Sequence, residues 1–277
     1  MKSDIYRDRF DWKVCLYYIC YHNYYINPIN FNTMLTINLK SKLFLLVAFT
    51  LLSYPGCKAV ESKQLTVKKI SCNIVPSAES VPSVLDKNHI GFHKIENANW
   101  AEFPYKPEVS FRIAHTGKEI LLHFKVKEAS VRAVATQDNG RVWEDSCVEF
   151  FISPEGNDFY YNFECNCITK LLIQQGKPSK RTLADQTILS QVKRWSTMGT
   201  ESFEAKKGTF DWELTLVIPA TALYQHAINT FDGKRMKANF YKCGDELPTP
   251  HYISWSPIKT DKPKFHCPEF FGTIVFE

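Results

Sequence analysis

An all-β protein, folded as an antiparallel β-sandwich, is the class this sequence predicts. Apolar residues recur with period two from about residue 70 to the C-terminus. Polar turn clusters separate runs of strand length, and a helical reading suits only Ala220 to Ala227.

The elements follow in chain order. Val109 to Ile113 reads as a strand, and the turn His115 to Lys118 leads to a second, in which Ile120, Leu122, Phe124 and Val126 alternate with Leu121, His123, Lys125 and Lys127. Val131 to Thr136 reads as a further strand, after which Gln137-Asp-Asn-Gly140 turns the chain toward Trp143. Val148, Phe150 and Ile152 then share one face, opposite Cys147, Glu149 and Phe151. Tyr160 to Cys167 is the clearest two-faced strand, with Tyr161, Phe163, Cys165 and Cys167 apolar against Asn162, Glu164 and Asn166. Trp212, Leu214, Leu216 and Ile218 form another apolar face before Pro219 ends the strand. Met236, Ala238 and Phe240 repeat the pattern, and Phe270 to Phe276 closes the chain.

Composition narrows the function. The 277 residues are 44% hydrophobic and 14% aromatic, enough for a large buried core. A net charge of +5, spread over interspersed lysines and acids, gives no basic stripe for nucleic acid. None of the nine cysteines falls in a Cys-x-x-Cys pair, so no structural zinc motif is legible, and no metal or cofactor is expected. Most of the cysteines read as small buried hydrophobes.

The N-terminal region divides differently. Leu43 to Leu52 is an apolar run of signal-peptide length behind Lys40 and Lys42, and Gly56-Cys57 follows as in a lipoprotein cleavage site. Residues 34–59 are therefore expected to be a signal peptide, with Cys57 the lipidation site or ordinary cleavage near Ala59 as the competing reading. Residues 1–33 lack any period and read as a mis-assigned start, with Met34 the initiator, or as a disordered extension. The expected product is exported to a bacterial cell envelope, periplasm or outer-membrane surface, with residues 60–277 a single domain and the protein a monomer.

Trp143 and Trp255 are the candidate functional residues with the strongest local signal. Each sits at a strand end among polar neighbours, Glu144 and Asp145 for the first, Ser254 and Ser256 for the second. An indole covers the C–H face of a sugar ring, while carboxylates and amides bond its hydroxyl edge. Glu149, Asp145, Asn162 and Asn239 are the candidate polar partners; Glu164 and Lys242 have suitable chemistry but read as ordinary sheet residues. His266 reads as a structural histidine, and Trp100, Trp195 and Trp212 as packing residues.

The run Trp143 to Ile152, WEDSCVEFFI, resembles the central motif of family 9 carbohydrate-binding modules. Ala238 to Cys243, Ser254 to Pro257, and Phe265-His266 through Gly272 are similar to family-9-like proteins of Bacteroidetes. The resemblance implies a β-sandwich that clamps sugar between Trp143 and Trp255, with Glu149 as the acid on the following strand. It implies non-catalytic binding of a poly- or oligosaccharide in support of carbohydrate catabolism. Some modules of the family also bind structural calcium, for which Asp138, Glu144 and Asp145 are the nearby carboxylates, without EF-type spacing. A purely structural or assembly role for an envelope lipoprotein stays open, and so do two further readings. One is a hydrolase of O-glycosyl bonds using Glu149 and Glu164. The other is a haem-binding sandwich drawing axial ligands from Met198, Met236, His115, His123, His251 or His266.

Overall fold

The structure, a computed structural model, describes residues 63–72 and 74–277. Fourteen strands are present in this region: β1 (Gln64–Lys69), β2 (His93–Lys94), β3 (Asn97–Ala98), β4 (Glu108–His115), β5 (Glu119–Ala133), β6 (Cys147–Ser153), β7 (Tyr160–Asn166), β8 (Leu171–Lys177), β9 (Lys180–Leu183), β10 (Lys193–Ser196), β11 (Phe203–Pro219), β12 (Arg235–Cys243), β13 (Tyr252–Ser254) and β14 (Gly272–Phe276). They form two packed sheets, as the period of two predicts. One sheet runs β10-β11-β5-β4, the other β14-β12-β6-β7-β8-β9. β1 joins them, pairing β14 through Gln64–Val67 and β4 through Lys68 and Lys69.

The core between the sheets is aromatic. Phe111 stacks on Phe240 with centroids 3.7 Å apart, and Phe240 stacks on Phe150 at 5.0 Å. Phe163, Tyr161, Phe124, Leu214 and Trp212 fill the space around them. The alternation read for residues 147–152 and 160–167 assigns the two faces correctly. Val148, Phe150, Tyr161, Phe163 and Cys165 belong to this core, whereas Cys147, Phe151 and Tyr160 pack in a second cluster with Tyr241, Cys243, Trp100 and Phe265. Trp100 and Trp212 are buried packing residues, as expected.

Several elements differ from the sequence reading. Val131 to Ala133 continues β5 instead of forming a separate strand, because β11 pairs along its full length with two register irregularities. A helix α1 (Val81–Lys87), started by Pro82, covers one face of the β4–β5–β11 sheet through Val81 and Leu85. The β8–β9 hairpin, and the short helix α2 (Gln186–Leu189) capped by Asp185, carry no period strong enough to read. Ala220–Ala222 forms a single 3-10 turn. Gly117, at φ +96°, makes the β4–β5 turn that its sequence position predicts.

A polar cluster centred on the buried Arg112 and His123 ties α1 to the sheet. Arg112 pairs with Asp86 at 2.5 Å and donates through Nε to Nδ1 of His123 at 3.0 Å. His123 Nε2 lies 2.8 Å from Glu213, which also pairs with Lys125. An Nδ1 that accepts a hydrogen bond has no proton, so His123 is neutral and Nε2 donates to Glu213. Burial holds its pKa down to about 4, with the cations of Arg112 and Lys125 opposing charge and Glu213 favouring it. Glu213 is itself depressed, by Lys125 and His123, against the effect of burial.

The unfolded chain protonates histidine near pH 6.5, the folded chain only near 4, so stability is full above 6.5 and is lost as pH falls between these values. His123 accounts for roughly 3 kcal/mol of that loss, and Glu213 adds to it below its ordinary range. Urea midpoints for native protein and His123→Gln at pH 7, 5.5 and 4.5 check this. The native curve should fall more steeply; parallel curves refute the assignment.

Candidate functional site

The outer face of the β12–β6–β7–β8 sheet holds a cavity of about 330 Å³. Its floor is set by strand alternation. Glu149 on β6 and Glu164 on β7 are direct cross-strand neighbours, flanked by Cys243 on β12 and Gln174 on β8. Its walls come from loops. Trp143 projects from the 3-10 turn Val142–Glu144, and Asp245 and Tyr252 lie on and after the loop that leaves β12. The segment from Pro263 to His266 and Arg181 of β9 complete the lining.

Backbone bonds fix Trp143 beside the β12 loop. Asp245 N donates to Trp143 O at 3.2 Å and Glu246 N to Glu144 O at 3.1 Å. Arg141 lies over the indole at 5.7 Å and pairs with Glu144. Trp143 is left half-buried, with one edge against the outer-face cluster. An aromatic layer supports the opposite wall: Phe103 packs edge-on to Tyr252 at 4.8 Å, and Phe265 stacks on Tyr241 at 4.2 Å. Trp100 anchors the 256–271 segment by donating from Nε1 to Thr260 O at 2.9 Å.

Burial governs the electrostatics. It raises Glu164 to about 7 and Asp245 to about 6, opposed by bonds from Asn162 and Tyr252 respectively. Glu149 is raised well above the carboxylate range by burial, then by Cys243 and Glu164. His266 is held down to about 3 by burial and by Arg181 and Lys264. Its Nδ1 meets Tyr160 OH at 2.8 Å, so it remains a neutral, oriented ring. A chain of bonds links the floor to the rim: Asn162 Nδ2 donates to Glu164 at 2.9 Å and, at 3.5 Å, to Gln174, which also accepts from Arg181 Nε at 3.1 Å. The arrangement offers carboxyl, amide and guanidinium groups beside exposed ring surface, and this suits a polyhydroxylated ligand with apolar faces.

The candidates read from sequence separate sharply. Trp143, Glu149 and the polar strand face of Glu164 come together in the cavity. Trp255 does not join them; it is buried in the core between the sheets at 1% exposure, edge-on to Phe240 at 5.6 Å and Phe111 at 6.2 Å. Its polar neighbours hold backbone. Asn239 Nδ2 donates to Ser256 O at 3.0 Å, Ser256 N donates to Asn239 Oδ1 at 2.8 Å, and Ser254 Oγ donates to Ser256 O at 2.7 Å. Trp255 and Asn239 are thus corrected to structural residues, and the two-tryptophan clamp does not form.

Asp145 is corrected likewise. It is fully buried, pairs with Arg132 at 2.6 Å, and accepts from Val134 N, Ala135 N and Asn166. Asn162 is fully buried and donates to Glu164. The calcium candidates each face an arginine: Asp138 meets Arg194, Glu144 meets Arg141 and Asp145 meets Arg132. Of the histidines considered as axial ligands, His123 and His251 have both ring nitrogens engaged. Cys57, residues 1–33 and the signal-length run lie outside the described residues.

Sequence reading missed Tyr252, Asp245, Gln174, Arg181 and Lys264, which sit on loops and on a weakly patterned hairpin. A wider groove of about 730 Å³ lies beside β4, β5 and β11. Its lysines and acids alternate, and the one indole in its lining, Trp212, is buried.

A two-sheet sandwich with an aromatic and acidic cavity on one sheet face fits the class of ligand-recognition domains. The chain matches Carbohydrate-binding family 9 over residues 79–276 and belongs to that family. It is similar to the crystal structure of a proposed carbohydrate-binding protein from Bacteroides uniformis ATCC 8492. Identity there is 61%, over 78% of this chain and 100% of that one, with a TM-score of 0.77. The fold is shared with a family 9 carbohydrate-binding module from Caldicellulosiruptor kristjanssonii in complex with glucose, at 11% identity, 78% and 96% coverage and TM-score 0.51. That module in complex with cellotriose aligns at 13% identity, 78% and 94% coverage and TM-score 0.50. No curated protein matches the chain.

Proposed function

We propose that the Trp143 cavity binds a short segment of a poly- or oligosaccharide without cleaving it, in support of carbohydrate breakdown. The observation that carries the reading is a half-buried indole fixed at the edge of a cavity floored by Glu164, Gln174 and Glu149. Trp143 stacks on the C–H face of a ring, and Tyr252 supplies the second aromatic surface. Glu164, Gln174, Arg181 and Asp245 meet the hydroxyls. A cavity near the lower end of the small-ligand range suits a short sugar segment better than a long chain. The glucose and cellotriose complexes of the Caldicellulosiruptor module support the ligand class.

Calorimetry with glucose, cellotriose and xylo-oligosaccharides tests the reading. Binding in the millimolar to micromolar range is expected, and Trp143→Ala should weaken it about tenfold. Native protein that shows no sugar-dependent retention on any glycan would overturn it. Sustained release of reducing sugar, lost in Glu149→Gln, would replace it with hydrolysis.

The same proposal places the protein outside the bacterial cytoplasm as a monomer, held at the envelope by lipid on Cys57. The apolar run Leu43 to Leu52 before Gly56-Cys57 supports this. Mass spectrometry of the native N-terminus decides it: a lipidated Cys57 is expected, and peptides from residues 1–33 would refute both the cleavage and the start at Met34.

A further inference from the structure

We propose that Cys147, Cys243 and Glu149 form a binding site for a thiophilic divalent ion of the zinc class, on the floor of the Trp143 cavity. Cys147 and Cys243 stand directly opposite each other across β6 and β12, and Glu149 follows Cys147 on the same strand face. Their donor atoms all lie within 4.8 Å of one another, and Cys243 Sγ is 3.0 Å from Glu149 Oε1. Zinc bonds thiolate at about 2.3 Å and carboxylate at about 2.0–2.2 Å, which puts tetrahedral donors roughly 3.5–3.8 Å apart. Binding one ion therefore requires the three side chains to adjust toward that spacing on strands whose pairing already sets them opposite one another.

Chemistry argues in the same direction. Two thiols and a carboxyl converge on one point, a mixed sulfur and oxygen donor set that zinc accepts. They bind as thiolates and carboxylate, so protons leave as the ion enters. Cys243 and Glu149 line the cavity, giving the ion an entry path and a fourth position open to water. Cys147 closes the set from behind, at 0% exposure. Two soft thiolates select zinc, cobalt or cadmium over calcium. The site needs no sugar and stands or falls separately from the carbohydrate reading.

Cobalt titration of the reduced, chelator-treated protein is the test. One equivalent of Co²⁺ should produce a strong thiolate-to-cobalt charge-transfer band in the near ultraviolet, abolished by added Zn²⁺. Cys243→Ser should remove the band and weaken zinc binding about 100-fold, while Glu149→Gln, which keeps both thiols, should weaken it about tenfold. Cys267→Ser should retain the band, and circular dichroism of each variant separates lost binding from lost fold. No band in folded native protein overturns the site, as does a band that persists in Cys243→Ser. Purification with Cys147 and Cys243 joined as a disulfide that reduction does not convert to a cobalt-binding form also overturns it.

Discussion

Truncating Trp255 to alanine is expected to cost about 3–5 kcal/mol of unfolding free energy, with sugar affinity per folded molecule unchanged. The ring is held on all sides. Phe111 and Phe240 meet it edge-on, and a Cβ placed on Gly272 would lie 2.4 Å from its six-membered ring. Trp255 N donates to Phe240 O at 2.8 Å, so the backbone cannot swing the side chain away from the core. Truncation leaves a void among rigid strands that collapse poorly, the situation in which the cavity penalty is largest. Urea denaturation and calorimetry on the same preparation read both outcomes. A variant with near-native stability and abolished sugar binding would restore Trp255 to the binding surface.

Why the two tryptophans part company explains what the sequence could disclose. Both lie beside strand ends among polar residues, and their neighbours within five positions do not distinguish a rim from an interior. The difference lies in partners remote in the chain. Asn239 clasps the backbone of Ser256, Gly272 clears space for the indole, and Asn97 donates to the carbonyls of Ser254 and Trp255. Polar residues near Trp255 satisfy a buried loop backbone, a role that looks the same in sequence as a role in ligand binding.

Strand faces were legible because the pleat is strictly local. Val148, Phe150 and Ile152 could point only one way once Glu149 pointed the other. That logic put Glu149 and Glu164 on the polar faces of their strands, while Trp143 stood out through its polar neighbours and the run that follows it. It failed at Asp145, whose buried ion pair with Arg132 depends on β5 running thirteen residues upstream in register with the loop. It failed at Tyr252, Lys264 and Arg181, because loops and short hairpins carry no period. Apart from Trp143 the walls of the cavity were thus hidden, as was Gln174 on its floor, while Glu149 was in view.

Replacing Lys242 by methionine should cost a further large amount, about 3–5 kcal/mol, because it strands a buried carboxylate. Lys242 reads in sequence as an ordinary sheet residue with chemistry suited to a polar wall, yet its side chain is fully buried. Nζ meets Glu128 Oε2, Cys243 O and His251 Nε2, each at 2.8 Å. Glu128 in turn accepts from Trp212 Nε1 at 2.8 Å, and His251 donates from Nδ1 to Thr249 O at 3.0 Å. Burial, then the Lys242 cation, holds His251 well below the usual histidine range, so it serves as a neutral acceptor. Methionine fills similar volume but removes every Lys242 donor, leaving Glu128 without its counter-charge and His251 Nε2 unbonded.

The double variant Lys242→Met, Glu128→Gln should recover a substantial part of the loss, since glutamine keeps an oxygen for Trp212 and carries no charge. Guanidinium denaturation with unchanged m-values measures both steps. The network also closes the loop between β12 and β13, on which Asp245 lies and from which Tyr252 emerges. Lys242→Met should therefore weaken sugar binding as well, and the double variant should regain affinity in step with stability. A single variant within about 1 kcal/mol of native would show that the buried pair is dispensable to the fold. Stability regained without affinity would show instead that Lys242 orients the loop directly.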